Sequence, residues 1–168
     1  MSYIHKITLI NWALAQEQIT NIHKPVEFNA LGYRNFAHSG AYMSDQNYSF
    51  KALKETKGCV INIPTVKLIS QVVGIGNTSG INTDKFKKFN LTQEKASCVK
   101  APLIKECYAN LECKVIDTTI SERYNIFTLE VLKAWITPLN KRQLTVHHCG
   151  DGNFIADGKL IRVSPKKK

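Results

Sequence analysis

Apolar positions along the chain change period several times, and each change marks an element. Cys59 to Ile63 is a nearly continuous apolar run rich in β-branched residues, with Asn62 as its one polar member and Pro64 ending it. That pattern predicts a strand buried on both faces. Val66, Ile69, Val72 and Val73 then recur at helical spacing, with Thr65 available as a cap, and predict a helix ending by Gly74 or Gly76. Ala109, Leu111, Cys113 and Val115 alternate with Asn110, Glu112 and Lys114, which predicts a half-buried strand with one wet face. Phe127, Leu129 and Val131 repeat the alternation, and the polar stretch Asp117 to Arg123 between the two runs predicts an antiparallel meander.

The remaining segments carry shorter signals. Ile7 to Ala15 and Val26 to Gly32 read as strands joined by a polar connection containing Gln16 to Thr20, and Arg34 to Asn47, rich in Ser, Gly, Asn and His, reads as a loop. Phe50, Leu53 and the stop at Gly58 predict a short helix with Ser49 as its N-cap. Asp157-Gly158, between Phe154-Ile155-Ala156 and Leu160-Ile161, is a two-residue hairpin signal. The sum is a mainly β chain with inserted helices, an antiparallel barrel, closed or nearly so. One domain is expected over residues 1–163, followed by a basic tail at 164–168. A doubly wound parallel sheet is disfavoured, because strands and helices do not alternate and no GxGxxG turn is present.

Composition narrows the class. With 168 residues there is room for one sizeable core. No apolar run reaches the roughly 18 residues of a membrane span. Lys6 followed by Ile7 to Ile10 and Ala13-Leu14-Ala15 imitates a secretory signal, but Asn11 interrupts the run, and a first strand in a cytoplasmic protein is the expectation. Five scattered cysteines, an odd number, argue for reduced thiols, with Cys59 and Cys113 acting as small buried hydrophobes. The net charge of +10 includes Lys166, Lys167 and Lys168, and the excess suits an anionic partner such as a nucleotide.

Two places could receive an anion. Ser49 lies at a helix start thirteen residues before Asn62, where a hydroxyl, backbone N–H groups and a partial positive charge converge. Thr78-Ser79-Gly80 followed by Asp84-Lys85-Phe86 joins a turn that allows close backbone approach to a nearby cation. The plainer alternatives are a helix cap with nothing bound, a turn capped at Thr83 or Asp84, and a solvated lysine. Tyr42 and Tyr48 precede the first corner and suit a flat ligand ring, whereas Trp12, Tyr33 and Trp135 suit a core. His147-His148-Cys149 lacks metal-ligand spacing, since adjacent strand residues face opposite ways, and no metal is expected.

Taken in register, Ser49, Asn62 with Pro64, and Ser79-Gly80 leading into Asp84-Lys85-Phe86 resemble the flavin reductase-like family, the FMN-binding split barrels of flavoredoxin type. The resemblance continues through Ala101-Pro102-Leu103-Ile104, Glu106-Cys107, Asn110 to Cys113, His147 to Phe154 and Asp157-Gly158, covering roughly residues 47 to 161. It implies an FMN cofactor, with Tyr48, Ser49, Asn62, Ser79, Gly80, Asp84 and Lys85 as its contacts. It also implies a homodimer with the flavin near the subunit interface, and NADH, NADPH or a redox protein as electron partner. Hydride transfer to a flavin needs no side-chain acid, base or nucleophile, so no catalytic residue is named. This chain departs from the pattern at Asn47 and Ile81, where family members often carry arginine, and Lys51, Lys54, Lys85 or Arg34 are the cations available instead. Two alternatives remain: a flavin-free split-barrel binding protein, and a small basic β-barrel that binds nucleic acid. The second requires a basic stripe with interleaved aromatics, and the strand with Glu112 beside Lys114 does not show one.

Overall fold

The strand Gly58–Ile63 organises the molecule, because every residue from Cys59 onward is buried and it has a hydrogen-bonded neighbour on each side. The computed structural model describes residues 8–9, 38–137, 144–150 and 153–158. In chain order the elements are β1 (Thr8–Leu9), β2 (His38–Tyr42), α1 (Tyr48–Thr56), β3 (Gly58–Ile63), a 3-10 turn (Val66–Leu68), α2 (Ile69–Gly76) and α3 (Lys85–Lys88). They continue with β4 (Gln93–Glu94), β5 (Leu103–Ile104), β6 (Ala109–Asp117), α4 (Ser121–Tyr124), β7 (Ile126–Ile136), β8 (Val146–Gly150) and β9 (Asn153–Ala156). The rest of the run from Ile7 to Ala15, the strand expected at 26–32, Leu160-Ile161, the basic tail, and Trp12, Tyr33 and Arg34 lie outside the described residues.

Five strands form one sheet in the order β1-β3-β6-β7-β2. Three of its four pairings are antiparallel; β1 runs parallel to β3, with Thr8 opposite Ile61 and Leu9 opposite Asn62. Two register shifts between β6 and β7 curl the sheet. At the first, Glu112 faces Lys133 and Cys113 faces Val131, so Leu132 is the extra residue. The inward set on β7 therefore runs Phe127, Leu129, Val131 and then Ala134, with Ile136 packed against the same core. Cys59, Ile61 and Ile63 of β3 and Ala109, Leu111, Cys113 and Val115 of β6 complete that interior, and Phe50 of α1 closes it edge-on against Phe127 at 5.1 Å. The result is the expected mainly β split barrel with inserted helices.

A second, smaller core of Leu68, Ile75, Phe86, Ile104 and Cys107 joins α2 and α3 to the segment around β5. Gly74 is required there: a Cβ at this position would stand 2.3 Å from a ring carbon of Phe89. α2 ends at Gly76, within the expected range, and Thr65 occupies the N-cap position of the preceding 3-10 turn without a side-chain cap bond.

Three expectations need correction. Residues 38–42, placed in a loop, form β2 and pair along β7 from Glu130 to Ile126. Ser49 is not the N-cap of α1; Asn47 is, and the turn closes through the Phe50 N–H donating to the Asn47 carbonyl at 3.0 Å. Asn110 and Glu112 are not on a wet face, because residues 97–104 lie over that side of β6 and leave both side chains buried. The polar stretch between β6 and β7 also contains the single turn α4. β9 pairs upstream with β8, Gly150 opposite Asn153, while the second arm expected after Gly158 falls outside the described residues.

Candidate functional site

The outer face of the sheet carries Val60 and Asn62 on β3, Asn110 and Glu112 on β6, and Lys133 and Trp135 on β7, set opposite one another by the register. A buried carboxylate needs donors, and Glu112 receives them from a strap at residues 97–99. The Ser97 N–H donates at 2.9 Å, the Val99 N–H at 3.1 Å, the Cys98 N–H more closely still, and the Trp135 indole N–H at 2.7 Å. Burial pushes the Glu112 carboxyl up, but the Ser97, Trp135, Cys98 and Val99 donors together outweigh it and hold the group below its ordinary value. Lys133 donates to the Ser97 hydroxyl and lies 4.3 Å from the Trp135 ring centroid, closing the cluster. Asn110 exchanges two bonds with the backbone of Ile104, at 2.9 and 3.2 Å.

Asn62 is the exception on this face. Its Nδ2 donates to the Val60 carbonyl at 3.3 Å, while its Oδ1 is buried with no partner among the described residues. An unpaired buried acceptor is costly and is suited to a ligand N–H or O–H donor.

Beside the strap, α1, the start of β3 and residues 98–101 enclose a cleft of about 310 Å³. Ser49, Leu53 and Thr56 line it from one side of α1, and Lys57, Lys100 and Lys114 from its remaining walls. α1 begins without a side-chain cap bond or an acidic residue in its first turn, so its positive end is uncompensated there. Its C-cap, Lys57, adopts a left-handed conformation (φ 54°) and bonds the Leu53 carbonyl.

The seven residues expected to contact a cofactor fall in three places. Ser49 lines the cleft and the exposed Tyr48 precedes it on α1; Asn62 sits in β3; Ser79, Gly80 and Asp84 lie on the turn between α2 and α3, and Lys85 opens α3. The Ser79 hydroxyl accepts from the Ile81 N–H at 3.3 Å, and Asp84 caps α3 by accepting from the Lys87 N–H at 3.2 Å. Lys85 is buried and donates to the Ile75 carbonyl at 3.0 Å, where its charge meets the negative end of α2, and burial lowers its pKa. Lys54 is held by Glu122 at 2.6 Å, which leaves Lys51 as the described alternative among the compensating cations. Lys57, Lys100, Lys114 and the buried Glu112 escaped the sequence reading, since a lysine in a polar stretch and a glutamate in an alternating strand both read as solvated.

Elsewhere, the Cys59 and Cys113 thiols are buried neighbours across β3 and β6, and contact with Cys59, then burial, pushes the Cys113 thiol up. Burial beside Glu106 pushes Cys107 up to about 12. On the terminal hairpin His147 lies 3.2 Å from Asp157, which Thr145 also bonds, and His148 stacks on Phe154 at 4.8 Å. Among the described residues no three His, Cys, Asp or Glu side chains gather as a metal site, and no helix is long and apolar enough to cross a membrane.

Comparison with known proteins gives this geometry a context. A protein of Archaeoglobus fulgidus, described only as uncharacterised, is 34% identical over 93 residues, 55% of this chain and 52% of its own length. The chain thus spans about half the length of that relative. The crystal structure of an FMN-binding domain of a flavin reductases-like enzyme from Shewanella baltica is similar with a TM-score of 0.66 at 21% identity, covering 76% of this chain and 74% of that one. Flavoredoxin of Desulfovibrio vulgaris is similar with a TM-score of 0.68 at 18% identity, covering 79% of each chain. At these identities the two structures speak for the fold. The family assignment comes from the sequence model of the flavin reductase like domain, which matches residues 37–151, more than half of the chain, and makes this protein a member of that family.

Proposed function

We propose that this protein is an FMN-binding flavoprotein, an NAD(P)H-dependent flavin reductase or a related electron-transfer oxidoreductase. The observation that carries the reading is the flavin reductase like domain across residues 37–151, which contains both anion-receiving corners and the orphaned Asn62 Oδ1. The residues present fit the group: a buried acceptor without a donor, a helix start that carries a hydroxyl and no side-chain cap bond, and a cationic cleft all suit a phosphorylated, hydrogen-bonding cofactor.

In this reading Ser49 and the start of α1 meet the phosphate, Asn62 accepts from the cofactor, Tyr48 packs beside it, and Ser79, Gly80 and Asp84 form the turn it approaches. Lys85 contributes from behind by fixing the end of α2 through the Ile75 carbonyl. FMN, when bound, supplies acceptance of a hydride or of single electrons at its ring. The chain's own part is to bind, orient and partly desolvate, and no side chain is asked to move a proton.

A cytoplasmic homodimer belongs to the same proposal. Support for the dimer is a set of exposed apolar side chains, Tyr42 at the end of β2 (72% accessible), Ile116 on β6, and Ile120 and Tyr124 at α4. The visible spectrum of the purified protein tests the main claim: flavin bands, with FMN released on denaturation, are expected. A colourless protein whose spectrum and fluorescence ignore added FMN would sink it. NADH and NADPH oxidation in the presence of flavin then separates a reductase from an electron carrier.

A further inference from the structure

Two of the cysteines are placed unlike the rest. Cys59 on β3 and Cys113 on β6 are register partners, and both belong to the apolar core inside the barrel. The Val115 N–H donates to the Lys57 carbonyl at 2.9 Å, two residues along the same ladder, so Cys59 and Cys113 fall in the class of pair that exchanges backbone hydrogen bonds. Such pairs hold their Cα atoms about 5.5 Å apart, inside the range of roughly 4.4 to 6.8 Å that a disulfide spans. The two thiols already meet, and contact with Cys59 is the largest influence on the Cys113 sulfur.

Burial divides the pair into an outer and an inner member. Cys113 is 0% accessible, whereas Cys59 is 8% accessible and lines the cleft beside α1. A reagent in the cleft therefore reaches Cys59 first, and Cys113 only through Cys59. Cys107 is as deeply buried but belongs to the smaller core, where the described residues include no second cysteine. Cys98 and Cys149 are exposed.

We propose that Cys59 and Cys113 form a dithiol modification site, converted to a cross-strand disulfide by a small organic disulfide that enters the cleft. Cys59 attacks one sulfur of the reagent R–S–S–R, forming Cys59–S–S–R and releasing R–SH. Cys113 then attacks the Cys59 sulfur, closing the Cys59–Cys113 bond and releasing the second R–SH. The protein gives up two electrons and two protons, and one R–S–S–R takes them up as two thiols. The new bond joins β3 to β6 one residue from Glu112, which holds the strap. In a compartment that keeps thiols reduced, such a bond is transient and serves sensing or catalysis. The chemistry requires no flavin and stands apart from the flavoprotein reading.

The test uses the full chain carrying Cys98→Ser and Cys149→Ser, which removes the exposed thiols and leaves Cys59, Cys107 and Cys113. Oxidised glutathione is added in native buffer, the protein is then denatured and alkylated, and intact mass and peptide mapping are read. Expected are the loss of two hydrogens per chain, a linked Cys59–Cys113 peptide pair, and loss of alkylation at both cysteines while Cys107 keeps it. Dithiothreitol should restore alkylation at all three. Adding Cys113→Ala should stop the reaction at a glutathione mixed disulfide on Cys59, and adding Cys59→Ala should leave Cys113 unmodified. If either alanine variant does not fold, the linkage in the double serine variant decides alone. The proposal is overturned by a Cys59–Cys113 bond that forms only in denaturant, by full alkylation of all three thiols after native exposure, or by an adduct on Cys59 that Cys113 never displaces. A mixed disulfide on Cys113 in the Cys59→Ala variant overturns it as well.

Discussion

The two faces of the curled sheet solve the same burial problem in opposite ways. The inner face, from Cys59 to Phe127, excludes water with apolar side chains that need no partner. The outer face buries Asn62, Asn110 and Glu112 nearly as completely, and depends on donors and acceptors brought by the strap at 97–104. An apolar face tolerates small shifts of its neighbours, whereas a polar one is only as good as the backbone laid over it. The outer face is therefore where the protein can hold a ligand wall in a fixed place, and it is where Asn62 Oδ1, the one buried side-chain acceptor without a partner among the described residues, is found.

The largest test of this contrast is on the inner side. Phe127→Ala, which empties the centre of the barrel, should cost about 4 kcal/mol in denaturant unfolding with little change at the outer cluster. Glu112→Gln should cost about 3 kcal/mol at neutral pH, because an amide cannot accept from four donors and turns its own NH₂ toward some of them. Its sign with pH is defined. A carboxyl held below its ordinary value stabilises the fold above that value and loses the contribution as pH falls through the folded one. The parent should thus weaken in acid, below about pH 4.5, more steeply than the variant. Parallel acid profiles would mean that the carboxylate charge is not what holds the strap. Gly74→Ala, which drives a methyl into the Phe89 ring, should cost about 2 kcal/mol and loosen the helical layer without touching the barrel. Ser49→Ala should leave stability nearly unchanged and weaken FMN binding by about 1 kcal/mol, measured by flavin fluorescence.

Where burial rests on apolar side chains, the sequence was legible. The run around Ile61, the alternation of Leu111 and Cys113 and of Phe127 and Leu129, an end of α2 at Gly74 or Gly76 and a cap at Thr83 or Asp84 were all readable from period and residue type, and the fold takes Gly76 and Asp84. β2 was not, because His38-Ser39-Gly40-Ala41-Tyr42 has no alternation and is a strand through its pairing with β7. Glu112 read as solvated because its partners are backbone N–H groups, which every residue has and no residue type advertises. The spacing of Ser49 to Asn62 was readable in the sequence, but the lysines of the cleft that Ser49 lines were not. Lys57, Lys100 and Lys114 come from three separate stretches and meet only when β3, β6 and the strap are folded together.

The extra residue on β7 has a consequence for chain length. Leu132 and Lys133 both belong to the outer side, so deleting Leu132 would leave Val131 and Ala134 inward and Lys133 and Trp135 outward, with the pairing made regular. The hydrophobic pattern has no use for this residue. What it adds is shape: the bend of the strand and one tile of the cleft floor. A protein one residue shorter there would be expected to fold and to be straighter, with a flatter hollow beneath its three lysines.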